Sequence, residues 1–331
     1  MRPISYARAT DVAEAIATVL ADPDSAYLAG GTTEVDLLRL NVVQPSGLVD
    51  INALPLDRIE DLADGGLRIG ALARMSDVAE APGVAERFPV IAQALVLGAS
   101  PQLRHMASMG GNLLQRVRCS YFRDGVSACN KREPGTGCSA LDGVNRGHAI
   151  LGTSEHCIAT HPSDVAVALV ALDAVVHTEG PSGARAIPID ELYLLPGDTP
   201  HLEHPLEHGE LIVAIEVPAT PVARTSLYLK VRDRESYEFA LASAAVALRV
   251  ADGVIGDVRL ALGGVATRPW RARRAEQVLM GARAEESTFA RAAREELAAA
   301  TPRGLNAFKV ELAQRTVVRA LETAAAMGGA A

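Results

Sequence analysis

The chain has 331 residues, 49% of them hydrophobic and 22% charged, with a formal net charge of −8. That length carries two or three domains and ample core. No apolar run approaches bilayer thickness, and an acidic chain offers no basic patch to phosphates, so neither a membrane span nor a nucleic-acid partner is expected. The N-terminal stretch MRPISYARATDVAEAIATVL has no basic segment ahead of an apolar core, so no export signal of its own is expected.

In chain order, Thr10 followed by DVAEAIATVLAD predicts an N-capped amphipathic helix with Val12, Ile16, Val19 and Leu20 on one face. AYLAGGTTEVDLLRL then predicts a strand over about 26–29, a turn at Gly30 and Gly31, and a short helix opened by Thr33 and Glu34. GLVDIN from Gly47 predicts a second buried strand, so the first 50 residues form a small parallel α/β unit. GLRIGA (66–71) predicts a strand, Ser76-Asp77 a helix cap, and PVIAQALVL from Pro89 a helix. A second glycine turn, Ser108-Met109-Gly110-Gly111-Asn112, follows.

VAVALVALDAVVHT from Val165 predicts helix then strand, 180–210 predicts loop, and ELIVAIEVP predicts a strand ending at Pro218. Beyond about residue 222 the character changes. A β-hairpin around Ala251-Asp252-Gly253 precedes three helices starting near Arg271, Thr288 and Leu305. These elements give an α+β chain divided at 1–55, 56–220 and 221–331.

A small-residue turn between strand and helix turns backbone N–H groups toward one point, which suits a phosphate. One such loop is more often a plain tight turn. Two loops suit a dinucleotide pyrophosphate, which is long enough to be held from two subdomains. The nearest nicotinamide-type match, Gly135-Thr136-Gly137-Cys138-Ser139-Ala140, has no strand before it and is rejected.

The four cysteines, Cys119, Cys129, Cys138 and Cys157, all fall within one irregular stretch, 116–160, with nine, eight and eighteen residues between successive members. A long irregular stretch in a compact domain is usually functional. No C-x-x-C is present, so dithiol and zinc-ribbon patterns match poorly. Buried structural thiols, a structural zinc and an iron–sulfur cluster all stay open on spacing alone. Arg116, Arg118, Arg123, Lys131, Arg132 and Arg146 surround these cysteines in sequence and would offset thiolate charge, or form a solvated face.

Other candidates read blandly. His201, His204 and His208 look more like a solvated loop than a metal site, since Pro205 breaks any helix there. His161, before Pro162, fits a turn better than acid–base chemistry. No G-x-S-x-G elbow exists for a hydrolase. Tyr237 fits a flavin contact or a packed core equally.

Taken together, AGGTTEVDLL, SMGGN, HPSDVAVALVALDA and LYLKVRDRESYEFALASAAVAL resemble the FAD-binding subunit of the molybdenum hydroxylase family over nearly the whole chain. The cysteine insertion between SMGGN and HPSD is similar to that of the flavoprotein subunits of bacterial periplasmic aldehyde oxidoreductases. The resemblance implies a two-subdomain FAD-binding domain (PCMH or vanillyl-alcohol-oxidase-like). It also implies a C-terminal three-stranded antiparallel sheet with a helix bundle, as in CO dehydrogenase flavoproteins.

It implies FAD contacts from Leu28, Ala29, Gly30, Gly31, Thr32, Thr33 and Glu34, and from Ser108, Gly110, Gly111 and Asn112. Asp164 would accept from ribityl or ribose hydroxyls, and Lys230 would lie near the flavin ring. The loop's Thr33-Glu34-Val35 departs from the family's usual Asn-Leu or Ser-Leu. Cys119, Cys129, Cys138 and Cys157 would hold a 4Fe-4S cluster. The implied partners are a small 2Fe-2S subunit and a large molybdenum-cofactor subunit, with electrons leaving through FAD to an external acceptor. The alternative is a zinc-stapled flavoprotein that works alone. The compartment would be periplasmic if a signal-bearing partner carries the chain, and cytoplasmic otherwise.

Overall fold

The computed structural model describes residues 3–328. The first unit contains β1 (Ser5–Arg8), α1 (Val12–Leu20), β2 (Ala26–Leu28), α2 (Glu34–Arg39) and β3 (Gly47–Asp50). Its sheet has the order β1-β3-β2 with both pairings parallel, which bears out the small parallel α/β unit. β1 was not expected, because its four side chains are all exposed and show no alternation. The cap of α1 is Asp11 rather than Thr10. The Asp11 carboxylate accepts from Glu14 N at 2.8 Å, while Thr10 donates through its amide and hydroxyl to the Glu14 carboxylate.

The second unit runs β4 (Ile59–Asp61), β5 (Leu67–Gly70), α3 (Met75–Glu80), α4 (Pro82–Arg87), α5 (Pro89–Leu97), α6 (Pro101–Met106), α7 (Met109–Leu113), α8 (Ser120–Arg123), α9 (Asp164–Ala171), β6 (Val175–Gly180), β7 (Gly183–Pro188) and β8 (Leu211–Val217). Prolines open α4, α5 and α6, where the first turn has no use for the missing N–H. The five strands form an antiparallel sheet of order β4-β5-β8-β6-β7.

Three expectations change here. Ser76 and Asp77 lie inside the first turn of α3, which starts one residue earlier. SMGGN is a one-turn helix, because Ser108 accepts from Gly111 N and stabilises α7 despite its two glycines. The supposed loop after residue 180 contains β7, an edge strand with a mostly exposed, irregular pattern that closes on Pro188.

The third unit follows a 3-10 turn at Pro221–Arg224 and contains β9 (Ser226–Val231), β10 (Ala242–Ala251), β11 (Val254–Gly263), β12 (Trp270–Arg271), α10 (Arg273–Leu279), α11 (Glu286–Leu297) and α12 (Phe308–Gly328). The β10–β11 hairpin turns through Asp252 and Gly253, both at positive φ (52° and 73°), as the Asp-Gly pair predicts. β9, β10 and β11 are the expected antiparallel strands, and β12 adds two residues at the edge.

The alternation of β10 divides two cores. Ala245 and Ala247 belong to the core built on α5 and α9, and Ala244, Val246 and Leu248 to the core under α10–α12. Small residues on the first face let α9 lie close to the sheet. All eight residues of α9 are buried. Each of its valines and leucines contributes about 1.5–3 kcal/mol on leaving water. Its N-terminal end is therefore a rigid point, and Asp164 stands on it.

Candidate functional site

The first glycine loop leaves β2 at Leu28 and enters α2 at Glu34. Gly31 takes φ +69, a conformation that disfavours a side chain. Gly30 lies against the end of α6. A Cβ there would meet Met106 O at 2.0 Å and Ala107 Cα at 3.1 Å. No residue with a side chain fits that contact unless backbone moves. The loop amides from Gly30 to Thr33 have no hydrogen-bond partner among the described residues, so they are free to receive an anion. Asn52 and Arg74 brace this junction. Asn52 Nδ2 donates to Ala29 O at 2.9 Å, and Arg74 donates to Asn52 Oδ1 at 2.8 Å and to Met106 O at 2.7 Å. Neither brace residue stands out in the sequence, because their partners lie 22 to 32 positions away.

The second loop works differently. Gly110 N donates to Ala71 O at 2.8 Å and Asn112 N to Ser108 O at 2.8 Å, so these amides are already engaged. A Cβ on Gly110 would lie 3.1 Å from Ala71 Cβ, so this glycine serves close packing on the strand. What α7 offers to solvent is a bare Gly111 and the Asn112 amide, whose Oδ1 accepts from Ser163 Oγ at 2.5 Å.

Between the loops lies a cleft of about 410 Å³, lined by Thr32, Thr33, Gly111, Asn112, Asp164 and Lys230 among others. That volume is in the range of small-molecule and cofactor sites. Leu28, Ala29, Gly30, Gly31, Glu34, Ser108 and Gly110 build its walls from behind rather than lining it. Glu34 is partly buried, and desolvation raises its carboxyl above the usual range against the pull of Arg116.

Asp164 and Lys230, expected to act separately, form one network. Lys230 Nζ donates to Asp164 Oδ2 at 2.8 Å and to Leu97 O at 3.1 Å, with its side chain 1% exposed. Tyr228 OH donates to Asp164 Oδ1 at 2.7 Å and meets the Ser243 hydroxyl at 2.8 Å. Burial pushes the Asp164 carboxyl up, and Lys230 and Tyr228 oppose the shift. The far rim is the segment after β9. Tyr237, at φ +52 and 57% exposed, lines the cleft rather than a core. Phe239 is held there under the Arg118 guanidinium at 5.2 Å, and Arg118 also donates to Asp36 Oδ2 at 3.3 Å.

The four cysteines, distant in sequence, line a single second cavity with Val117, Phe122, Ala128, Ala140 and Ala159. All four are free thiols. Cys129 and Cys138 face each other across an isolated antiparallel bridge. The loop between them is shaped by Asn130, whose Oδ1 accepts from Gly135 N at 3.1 Å and Gly137 N at 2.8 Å. Both glycines have positive φ. Arg132 closes the other side by donating to Tyr121 O and Phe122 O, each at 2.8 Å. Ala159 N donates to Cys157 Sγ at 3.5 Å, and His148 Nε2 lies 3.2 Å from Cys119 Sγ, where the ring tautomer decides which of the two donates. Burial raises the Cys119 thiol to about 12 and the Cys157 thiol to about 11, so without a metal both carry their protons. Among the described residues no histidine, cysteine and acidic side chains stand as a ready group of three for a metal ion.

The remaining candidates are structural. His208 Nε2 lies 3.0 Å from Val19 O, and His161 packs edge-on against Tyr193 at 4.5 Å while its Nδ1 accepts from Ser163 N at 3.3 Å. Glu203 pairs with Lys131 at 2.9 Å and with Arg116.

Comparison with known proteins decides the family. Residues 2–220 match the model of the FAD binding domain in molybdopterin dehydrogenase, and 227–324 match that of the CO dehydrogenase flavoprotein C-terminal domain. The chain is an FAD-binding subunit of the molybdenum hydroxylase family. Molybdenum hydroxylase relatives agree across its length. It is 47% identical over 328 residues to the aldehyde oxidoreductase FAD-binding subunit PaoB of Escherichia coli, covering 98% of this chain and 99% of that one. It is 27% identical to the carbon monoxide dehydrogenase medium chain of Hydrogenophaga pseudoflava, covering 91% and 89%. The solved carbon monoxide dehydrogenase from Hydrogenophaga pseudoflava lacking the Mo-pyranopterin moiety superposes with a TM-score of 0.77 at 27% identity, covering 99% of each chain. The protein is thus an oxidoreductase flavoprotein subunit with FAD as its cofactor, and the two-subdomain FAD-binding fold with its C-terminal sheet and helices is that of the family.

Proposed function

We propose that this chain is the FAD- and 4Fe-4S-carrying electron-transfer subunit of a molybdenum-dependent aldehyde oxidoreductase. Its partners in this reading are a small 2Fe-2S subunit and a large molybdenum-cofactor subunit, and its product is a reduced external acceptor. The aldehyde assignment follows the printed name of the 47% identical relative. The medium-chain naming of other relatives supports a multi-subunit setting.

The observation that carries the cluster is the convergence of four free thiols on one apolar cavity with no carboxylate in its lining. The family comparisons speak for FAD, and the four-thiolate site rests on this geometry. Zinc, with Zn–S near 2.3 Å, draws four thiolates to about 3.8 Å of one another. A cluster bonds each thiolate to a different iron; four thiolates suit either group, and the likeness of the 116–160 insertion to that of aldehyde oxidoreductase flavoprotein subunits is what favours the cluster. Cys119, Cys129, Cys138 and Cys157 would hold it, with Lys131 in the same lining offsetting thiolate charge.

For FAD, the free amides of Thr32 and Thr33, which line the cleft, would bind the pyrophosphate on a loop shaped by Gly30 and Gly31, and Gly111 would let the cofactor approach α7 without steric conflict. Asn112 is oriented by Ser163 to present its amide. Asp164, fixed by Lys230 and Tyr228, keeps lone pairs toward the cleft for a ribityl or ribose hydroxyl. Phe239 and Tyr237 shield the outer edge. When bound, FAD exchanges single electrons with a cluster and electron pairs with an acceptor, while the protein sets orientation and access. In this reading the compartment is periplasmic if the chain is exported with a signal-bearing partner, and cytoplasmic otherwise.

The test is anaerobic reduction by an aldehyde, followed by flavin bleaching in the assembled complex and in the isolated chain. The account expects bleaching in the complex and none in the chain alone. Bleaching of the isolated chain by aldehyde would contradict a subunit role.

A further inference from the structure

We infer that His148 donates a hydrogen bond that tunes the cysteine centre, and that the start of α12 and the 3-10 turn before it position it through Lys309 and Asn306. The inference rests on the cluster reading above.

His148 is 7% exposed, and its Nε2 lies 3.2 Å from Cys119 Sγ. Its Nδ1 has no partner among the described residues. A metal-bound thiolate carries no proton, so a ring nitrogen at this distance meets it as N–H donor. That choice fixes the tautomer, which is the usual effect of an outer hydrogen bond on a metal ligand.

The ring is held from behind by a fully buried clamp. Lys309 and Asn306 are both 0% exposed. Lys309 Nζ donates to Gly147 O at 2.9 Å, His148 O at 3.1 Å and Gly264 O at 2.6 Å, matching its three hydrogens to three carbonyls. Asn306 Nδ2 donates to Ala149 O at 3.1 Å and His148 O at 3.4 Å. Asn145 completes the joint. Its Nδ2 donates to Ala140 O at 3.1 Å, and its Oδ1 accepts from Leu305 N at 2.9 Å. The segment 145–149 is thereby bolted to 305–309. Burial lowers the Lys309 pKa to about 7, so its charged form is costly and rests on those three carbonyl acceptors. Here it places the backbone that aims the His148 ring.

A donor on a ligating sulfur stabilises the more negative, reduced state of a cluster and raises its potential. The experiment uses the full chain in its complex, with wild type, His148→Ala, His148→Gln and Lys309→Met. Iron content is measured first, then the midpoint of the cluster by EPR-monitored titration, and then nitrogen couplings by pulsed EPR with [15N]histidine. The inference expects iron retained, a lower midpoint in His148→Ala, and partial recovery in His148→Gln, whose amide still donates. It expects a downward shift in Lys309→Met. It also expects a histidine coupling in wild type that His148→Gln removes.

Equal midpoints in wild type and both His148 variants, with no histidine coupling, would overturn the donor role. An unchanged midpoint in Lys309→Met would overturn the clamp. If His148→Ala fails to fold or loses its iron, the labelled wild type and the glutamine variant still decide. Wild type without iron would instead sink the cluster reading itself, a separate and recognisable result.

Discussion

Gly30→Ala is the sharpest perturbation of the FAD cleft. The added methyl would sit 2.0 Å from Met106 O and 2.7 Å from Met106 C. An ordinary contact is about 3.5 Å, so the loop or α6 must retreat by roughly 1.5 Å. The obstacle is backbone, and Arg74 holds that carbonyl at 2.7 Å, so no side chain can swing aside. Overpacking of this kind costs about 1–3 kcal/mol. If the bound loop conformation carries the upper part of that strain, binding weakens by on the order of 100-fold. The expected outcome is an FAD Kd raised about 100-fold, equivalent to about 2.8 kcal/mol, with a lowered Tm. Deflavinated full chain is titrated with FAD by fluorescence quenching, and melting is followed by circular dichroism. A Kd within twofold of wild type would refute the view that this loop's close approach to α6 shapes the site.

Gly31→Ala is milder, because its Cβ meets the flexible Val35 Cγ2 at 3.2 Å and the φ of +69 costs about 1–2 kcal/mol, so FAD affinity falls by about 10-fold in the same titration. Lys230→Met leaves Asp164 buried opposite an apolar side chain and lowers stability by about 3–5 kcal/mol in urea unfolding, while adding Asp164→Asn restores part of the loss. Glu203 is pulled below its usual pKa: burial opposes ionisation, and Arg116 and Lys131 overcome it. A depressed folded-state pKa adds stability above the unfolded value that disappears as pH falls through the folded one. The Tm difference between wild type and Glu203→Gln is therefore present at pH 7 and shrinks below about pH 4.5, the ordinary value of a free glutamate; a constant difference across that range would contradict the pairing.

Elements with a strong period were legible in the sequence. α9 and the β10–β11 hairpin follow from an apolar run and an Asp-Gly turn. β1 and β7 were not legible, since exposed edge strands have little patterning to read. SMGGN has the composition of a glycine turn, whereas one serine cap and packing on Ala71 make it helical. The glycine loop and Asp164 were visible as candidates, but the Asp164–Lys230–Tyr228 network joins residues more than 60 positions apart and has no local signature.

The cysteines show the same limit. Spacings of nine, eight and eighteen match no motif, and their convergence depends on Asn130, Arg132 and left-handed glycines. Lys309 did leave a trace. It shares the buried face of α12 with Ala313, Thr316, Val317 and Ala320, where a lone lysine breaks the apolar pattern.

The most direct measurement of the central claim is cofactor stoichiometry on the purified full chain, prepared anaerobically, with iron, acid-labile sulfide, zinc and flavin quantified on one sample. The account predicts four iron and four sulfide per FAD with no zinc, and loss of iron on Cys→Ser substitution at each of Cys119, Cys129, Cys138 and Cys157. Flavin accompanied by zinc and no iron would contradict it.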